Sequence, residues 1–314
     1  MLSELLSRYP KILAECAIAE RLRRYPDITL HPTLYNTPLI YGPEDSRERM
    51  SSLYREYLQA ASRAKLPLLL TAPTWRLDFT RIAAAGVPPS INADAVAYLL
   101  GVRAKNRSDS EVLVGALTGP KNDCYLPELA PGADAAESFH TRQVEALADT
   151  PADFLLAQTL PSVPEALGIA RAMAATDKPY LISFCTGSDG KVLDGTPLDE
   201  AMDLLDQHLS RAPEGYFVNC THPRFLIENY RPGALSRLIG IQANASSKDV
   251  TKLDGCAATE ADPVGEWARS MLDLHAIHQV PVLGGCCGTT LEHMQHLIPP
   301  SSPPHSPRRS DGRG

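Results

Sequence analysis

The sequence has 314 residues, of which 44% are hydrophobic and 21% charged, and its formal net charge is −7. A chain of this length can bury the core of one large α/β barrel or of two ordinary domains. The acidic balance, without a basic cluster interleaved with aromatic residues, argues against a nucleic-acid partner. No apolar run is long enough to cross a bilayer, so we expect no membrane association.

The cysteine usage indicates a reducing compartment. There are seven cysteines, an odd number, and they lack the dense, regular spacing of a secreted disulfide scaffold. The first residues carry no basic start, and their apolar content is brief, so they do not resemble an export signal. We therefore expect a cytoplasmic protein with reduced thiols.

Short apolar segments that end in polar or turn residues alternate along the chain with segments of helical periodicity. The predicted strands cover residues 11–14, 66–75, 112–120, 153–159, 180–185, 215–220, 238–244 and 280–284. The predicted helices cover residues 18–24, 46–63, 91–104, 137–148, 164–175, 198–209, 223–229 and 266–277.

This alternation predicts an α/β fold with a parallel sheet and crossover helices. Eight such units predict closure into a (β/α)₈ barrel of the TIM type. The alternative is an open, doubly wound sheet, which we disfavour because no Gly-x-Gly-x-x-Gly follows any strand. Residues 1–297 are predicted to form this single domain. Residues 298–314 are rich in Pro, Ser and Arg and are predicted to be a disordered tail.

The strongest chemical signal lies at the end of the last predicted strand. There Gly284-Gly285 is followed by Cys286-Cys287 and Gly288, and Thr289-Thr290 could cap a helix. Adjacent cysteines do not easily bridge each other, but they can grip one soft metal ion from a glycine-rich turn. Cys220, at the end of the sixth strand, supplies a third thiolate. A barrel places its sixth and eighth strands close together, so we predict a zinc site made of these three cysteines.

Three thiolates leave one position of a tetrahedral zinc site for another ligand. Such a site favours activation of an incoming thiol, because coordination holds the thiol as the nucleophilic thiolate. The alternatives are activation of water for hydrolysis and a buried cysteine that serves only packing. No separate protein base is assigned.

Other residues at the predicted strand ends face the same mouth. They are Glu15, Thr74, Thr118, Gln158 and Asn244. His140 is a weaker candidate, since a lone histidine is usually structural, and His222 is a possible fourth metal ligand. Trp75 and Tyr125 are more often packing residues than substrate contacts. Cys16, Cys124, Cys185 and Cys256 have no comparable partners in the pattern.

From about residue 12 to residue 297 the chain resembles the homocysteine S-methyltransferase family. The most specific matches are Val218-Asn219-Cys220 and Gly284-Gly285-Cys286-Cys287-Gly288-Thr289, which correspond to the family's zinc-ligand motifs. Phe139-His140 and Asp194-Gly195-Thr196-Pro197-Leu198 also match. The resemblance implies a zinc-containing (β/α)₈ barrel that transfers a methyl group to the sulfur of homocysteine, giving methionine.

The chain departs from the family pattern where acidic residues hold the ammonium group of the amino acid. Glu15-Cys16-Ala17 replaces the usual Asp-Gly-Gly, and Gln158-Thr159 replaces the usual Glu-Thr. The second strand ends in Thr71-Ala72-Pro73-Thr74 instead of Thr-x-Asn-Thr. The expected substrate contacts are Glu15, Thr74, Gln158, Thr159 and Asn219.

The expected partners are a small thiol acceptor and a small onium methyl donor. S-Methylmethionine is the favoured donor, with betaine and S-adenosylmethionine as alternatives. A different thiol acceptor is also considered, because Gln158 supplies no charge to hold an ammonium group. The competing class is a non-catalytic zinc-containing barrel that binds a small ligand.

Overall fold

The computed structural model describes residues 2–252 and 261–298. Eight parallel strands form a closed barrel in which each strand pairs with the next and the eighth pairs with the first. All eight predicted strands are confirmed, and the open-sheet alternative is wrong. The strands are β1 (Ile12–Ala14), β2 (Leu68–Ala72), β3 (Val112–Thr118), β4 (Phe154–Leu160), β5 (Tyr180–Cys185), β6 (Gly215–Asn219), β7 (Leu238–Ala243) and β8 (Val282–Gly285).

The helices follow the predicted alternation, and all eight predicted helices are present. The helices are α1 (Leu2–Arg8), α2 (Ala19–Arg23), α3 (Glu44–Ala64), α4 (Phe79–Ala85), α5 (Ile91–Lys105), α6 (Ala133–Ala148), α7 (Val163–Ala174), α8 (Leu198–His208), α9 (Pro223–Asn229), α10 (Val264–His278) and α11 (Leu291–Leu297). Thr290 caps α11, as the threonines after the last strand led us to expect. Residues 299–314 of the predicted tail lie outside the described residues. No helix in the described ranges has the length and apolar character needed to cross a membrane.

Large and small residues alternate across the barrel interior. Phe154 faces Gly115, and Phe217 faces Gly240, where a Cβ atom would lie only 2.4 Å from each ring. The two phenyl rings therefore fill the space that the glycines leave, as close packing requires. α1 contributes Leu2 and Leu5 to the same apolar cluster. These side chains form one packed apolar cluster inside the barrel.

Two irregularities interrupt the hydrogen-bonded ladder of the barrel. The register shifts between β4 and β5 after Ala157, and between β6 and β7 after Tyr216. Thr159 lies in the first irregularity with φ of 66°, a left-handed conformation that β-branched residues rarely adopt. Such strain is stored at functional sites more often than elsewhere. The first shift lies beside the candidate residues Gln158 and Thr159, whereas the second lies at the amino end of β6, away from Cys220.

Candidate metal centre and substrate cavity

The three predicted cysteine ligands lie together at the carboxyl end of the barrel. All three Sγ atoms are within 4.8 Å of one another. The Cys220 and Cys286 sulfurs are 2.9 Å apart, and the Cys286 and Cys287 sulfurs are 3.9 Å apart. Cys220 is buried, Cys286 is partly buried and Cys287 is exposed. The group therefore has one side towards the barrel and one side towards the opening.

Backbone contacts between neighbouring strands fix these thiols. Cys286 N–H donates to the carbonyl of Ala243 at 2.7 Å, and the Cys287 carbonyl accepts from Ala245 N–H at 2.9 Å. Cys220 has φ of 53°, a left-handed turn that directs its side chain off the end of β6. At Gly285 a Cβ atom would lie 2.2 Å from Thr289 Oγ1. Only glycine lets the turn after β8 close onto itself in this way.

The donor set suits a soft divalent metal such as zinc. Ligands at about 2.3 Å from zinc in a tetrahedron lie about 3.8 Å apart, so the Cys286 and Cys287 sulfurs already have this spacing. The shorter Cys220 to Cys286 separation must widen by roughly 1 Å for both to bind one ion. Hydrogen bonding with the Cys286 and Cys287 thiols, followed by burial, raises the pKa of Cys220 well above its usual value. Three thiols brought this close can be held as thiolates only if a cation compensates their charge.

His222 does not join this group. Its Nδ1 accepts from the backbone N–H of Arg224 at 3.3 Å, which caps α9. Its Nε2 lies 3.6 Å from Asp262 Oδ2. Burial lowers the pKa of His222 to about 4, so the ring is neutral at neutral pH. The expectation that His222 could be a fourth ligand is wrong, because its ring nitrogens are not among the ligand atoms that lie within 4.8 Å of one another.

Two further cysteines lie near the three ligand thiols. Cys185 is buried and packs in one cluster with Cys220 and Val250. Cys124 is buried and lines the cavity beside the thiols. Neither belongs to the group whose sulfurs approach one another closely enough to share an ion. Cys16 is buried, and Cys256 lies outside the described residues.

A cavity of about 330 Å³ opens next to the thiols, and Glu15 lies on its wall. The Glu15 carboxylate accepts from Thr71 N–H at 3.1 Å and from the Thr71 hydroxyl. The side chain is only 7% exposed. Burial raises the pKa of Glu15 to about 8, although the Thr71 hydrogen bonds oppose the shift. A cationic group that entered the cavity would restore the charge of this carboxyl.

Gln158 also lines the cavity, and Gln242 lies beside it. Gln158 Nε2 donates to Gln242 Oε1 at 2.5 Å, and Gln242 Nε2 donates to the Glu15 carbonyl at 3.3 Å. The two glutamine side chains and the Glu15 backbone carbonyl are therefore connected along this wall. Sequence reasoning missed Gln242 and placed Asn244 at the mouth in its stead. Gln242 and Asn244 are two residues apart, so the two-residue period of a strand gives both the same face and does not decide which of them borders the cavity.

Thr159 lines the cavity as well, whereas Asn219 and Thr74 stand behind its wall. Asn219 is 1% exposed. Its Oδ1 accepts from Thr159 N–H at 2.9 Å, and its Nδ2 donates to the Cys220 sulfur at 3.3 Å. Thr74 Oγ1 bonds only to backbone atoms, chiefly those of Leu117. Asn219 therefore supports the strained Thr159 and a ligand thiol, and Thr74 ties the end of β2 to β3.

Three other candidates lie away from the cavity lining. Thr118 and Asn244 are buried. His140 Nε2 lies 3.3 Å from Glu165 Oε1, and the same oxygen accepts from Lys121 N–H at 2.7 Å. The pair thus holds the loop after β3. Trp75 and Tyr125, which sequence reasoning treated as packing residues, do line the cavity, together with Arg76.

The comparisons with known proteins agree on one family. Residues 12–298 match the family model described as homocysteine S-methyltransferase. The chain is 24% identical to homocysteine S-methyltransferase YbgG of Bacillus subtilis (strain 168), over 94% of this chain and 96% of that protein. It is 28% identical to homocysteine S-methyltransferase of Escherichia coli (strain K12), over 60% and 62% of the two chains.

A solved structure shares the fold. The metallated form of the homocysteine methyltransferase MmuM from Escherichia coli superposes with a TM-score of 0.74 at 21% identity, covering 95% of this chain and 98% of that one. Since the family model spans nearly the whole described barrel, the chain is a methyltransferase. It belongs to the homocysteine S-methyltransferase family.

Proposed function

We propose that this protein is a zinc-dependent methyltransferase that moves a methyl group from a small onium donor to the thiol of homocysteine, giving methionine. The observation that carries the proposal is the convergence of the Cys220, Cys286 and Cys287 thiols beside a cavity that contains a buried carboxyl group. The family membership and the named relatives support homocysteine as the acceptor. S-Methylmethionine is the favoured donor.

The three cysteines hold the metal in this proposal. Zinc bound to them would take the acceptor thiol in its fourth position and keep it deprotonated at neutral pH. Glu15 and Gln158 would receive the ammonium group of homocysteine, with Glu15 supplying the negative charge and Gln158 an amide oxygen. Thr71 orients the Glu15 carboxylate through its two hydrogen bonds. The residues therefore divide into a set that positions the sulfur and a set that positions the amino group.

Transfer is proposed to be direct. The sulfur of homocysteine loses its proton and forms a bond to the donor methyl carbon, while the bond from that carbon to the donor sulfonium breaks. With S-methylmethionine both products are methionine, and the charge of the sulfonium is neutralised. One cavity that holds both substrates can align the three atoms of this displacement. We also propose that residues 1–297 are one catalytic domain, and that the thiols work in a reducing cytoplasm.

A panel of methyl donors, each supplied with homocysteine and followed by mass spectrometry, tests the proposal. S-Methylmethionine, betaine and S-adenosylmethionine would be compared at equal concentration. We expect transfer of a labelled methyl group from S-methylmethionine into methionine without any added corrinoid. Transfer that occurs only when methylcobalamin is added would contradict the direct route. Failure to methylate any thiol would contradict the proposed activity.

The same reaction on another thiol is a second candidate, and one observation favours it. Gln158 donates to Gln242 and carries no charge, so Glu15 is left to balance an incoming ammonium group. An acceptor without an amino group would not need this compensation. A non-catalytic barrel with a closed four-ligand metal site has less support, because among the described residues the group of ligand atoms close enough to share an ion contains the three cysteines and no fourth residue.

A further inference from the structure

Arg76, in the loop after β2, lies at the edge of the cavity and has no carboxylate partner among residues 2–252 and 261–298. Its Nη1 donates to the carbonyl of Asn122 at 3.0 Å. Its guanidinium carbon lies 4.5 Å from the centre of the Trp75 ring. Its Nε is buried and has no hydrogen-bond partner in the described part of the chain. Neither the carbonyl nor the ring supplies a negative charge.

Several other partly buried arginines have carboxylate partners, whereas Arg211 donates to three backbone carbonyls instead. Arg81 pairs with Asp78, Arg103 with Asp153 at 2.7 Å, and Arg237 with Asp206 at 2.8 Å. Removing a guanidinium from water is unfavourable unless an anion and hydrogen bonds compensate it. Since Arg76 lines the cavity, a ligand bound in the cavity can supply an anionic group to its guanidinium. A substrate carboxylate fits the planar guanidinium fork, which binds carboxylates through two parallel hydrogen bonds.

The position of Arg76 identifies which substrate carries that carboxylate. Glu15 is bonded to Thr71, within β2 itself, whereas Arg76 lies in the loop beyond β2 and contacts Asn122 in the loop beyond β3. The proposed acceptor site on Glu15 is thus near the strand ends, and Arg76 belongs to the surrounding loops. A second molecule that approaches the acceptor sulfur from the opening would pass the loop that carries Arg76.

We propose that Arg76 binds the carboxylate of the methyl donor, so that the donor is a carboxylate-bearing onium compound. This inference rests on the proposed function. Tyr35 and Tyr125 also line the cavity, and aromatic rings attract onium methyl groups through their negative faces. Trp75 serves a different purpose: its ring lies beside Arg76 and 5.9 Å from the Tyr35 ring, and it holds the guanidinium in place. The donor is held at its carboxylate by Arg76, while its cationic end points to the acceptor.

Steady-state kinetics on the zinc-loaded enzyme tests this assignment. The wild type would be compared with Arg76→Gln and Arg76→Lys, varying S-methylmethionine and homocysteine separately. We expect Arg76→Gln to raise the KM for S-methylmethionine by about 10- to 100-fold, because a charged hydrogen-bonded pair is lost. The KM for homocysteine should change by less than about threefold. Arg76→Lys keeps the charge but loses the fork, so its effect should be intermediate.

Arg142→Gln is a matched control. The Arg142 guanidinium carbon lies 3.7 Å from the centre of the Phe79 ring, so it is also a stacked arginine, but it does not line the cavity. This variant removes the same charge and the same kind of stacking. We expect its KM for S-methylmethionine to equal that of the wild type. An equal rise in both variants would show a general charge effect and overturn the assignment.

A donor without the carboxylate separates binding from a structural role of Arg76. (3-Aminopropyl)dimethylsulfonium keeps the onium and ammonium groups of S-methylmethionine. The wild type should use it with a raised KM, and Arg76→Gln should cause no further rise. If Arg76→Gln weakens both donors equally, or raises only the KM for homocysteine, the inference is wrong.

Calorimetry keeps this inference distinct from the proposed function. S-Methylmethionine would be titrated into each protein with no acceptor thiol present. Binding to the wild type that weakens about 10- to 100-fold in Arg76→Gln supports the inference even if no methyl transfer is detected. Methyl transfer in both proteins with equal donor affinity would support the proposed function and overturn the role of Arg76.

Discussion

The two sides of the cavity differ in whether the protein itself supplies partners for their polar and charged groups. On the thiol side, formed by β6 and β8, backbone hydrogen bonds fix each cysteine, and the donors need only a cation. On the side of β1 and β2, Glu15 is buried and Arg76 lies at the cavity edge, and among the described residues neither side chain has an ion-pair partner. The thiol side thus has the donors that a metal ion needs. The other side has a buried carboxyl group and a guanidinium, the two groups that the ammonium and carboxylate groups of amino-acid substrates would match.

Removing one of the three proposed metal ligands should cause the largest loss of zinc and of activity. In Cys286→Ala we expect loss of most of the zinc and a fall in kcat/KM of more than about 100-fold, since ligand losses exceed the 10- to 100-fold typical of supporting residues. Elemental analysis of the purified protein measures the metal. Cys16→Ala removes another buried thiol outside the ligand group and should keep its zinc. Full zinc occupancy in Cys286→Ala would sink the ligand assignment.

Replacing Glu15 by an uncharged residue should weaken the binding of the substrate's ammonium group and leave the metal in place. For Glu15→Gln we expect kcat/KM for homocysteine to fall by about 10- to 100-fold, because the ammonium group loses its charged partner. The zinc content should equal that of the wild type. Methionine, which keeps the ammonium group but has no thiol, is a suitable binding probe. Its affinity for the wild type should rise as the pH approaches 8 and Glu15 ionises; a flat profile that matches Glu15→Gln would contradict this role.

The same carboxyl group should make the stability of the substrate-free protein depend on pH. The pKa of Glu15 is raised from 4.5 to about 8 in the folded protein by burial, so the folded state binds the proton more tightly than the unfolded state. Its stabilising contribution is complete below pH 4.5 and is lost as the pH rises through 8. Relative to Glu15→Gln, the wild type should lose about 2 kcal/mol of unfolding free energy between pH 6 and pH 8. Urea denaturation of both proteins at the two pH values measures this difference, and parallel curves would refute it.

An acidic residue at position 158 should increase the preference for homocysteine over a thiol without an amino group, and this effect should be the smallest of those predicted. Gln158→Glu is expected to raise kcat/KM for homocysteine by about 3- to 10-fold relative to 4-mercaptobutanoate, which lacks the amino group. The reason is that a second carboxylate would share the ammonium group with Glu15. The ratio of the two kcat/KM values is the readout. If the wild type already prefers homocysteine strongly and the variant brings no gain, Gln158 does not weaken the preference for an acceptor with an amino group.

The sequence was most informative where local chemistry and fold periodicity suffice. Strand periodicity placed β6 and β8, and the residue types at their ends placed three thiols together. It was least informative where contacts between distant residues decide. Gln242 borders the cavity and bonds to Gln158 and to the Glu15 carbonyl, and Nδ1 of His222 caps α9. Arg76 lies in a loop, and its lack of a partner is visible only when all its neighbours are known.

Cobalt substitution followed by titration with homocysteine tests whether the three cysteines form a metal site that binds the acceptor sulfur. We expect one Co²⁺ to bind per chain through Cys220, Cys286 and Cys287, with the absorption of a tetrahedral thiolate site. Adding homocysteine should shift that absorption at a stoichiometry of one, because its sulfur enters the remaining position. A protein that binds no cobalt, or a cobalt spectrum that homocysteine leaves unchanged, would contradict this three-cysteine site with an open position for the acceptor.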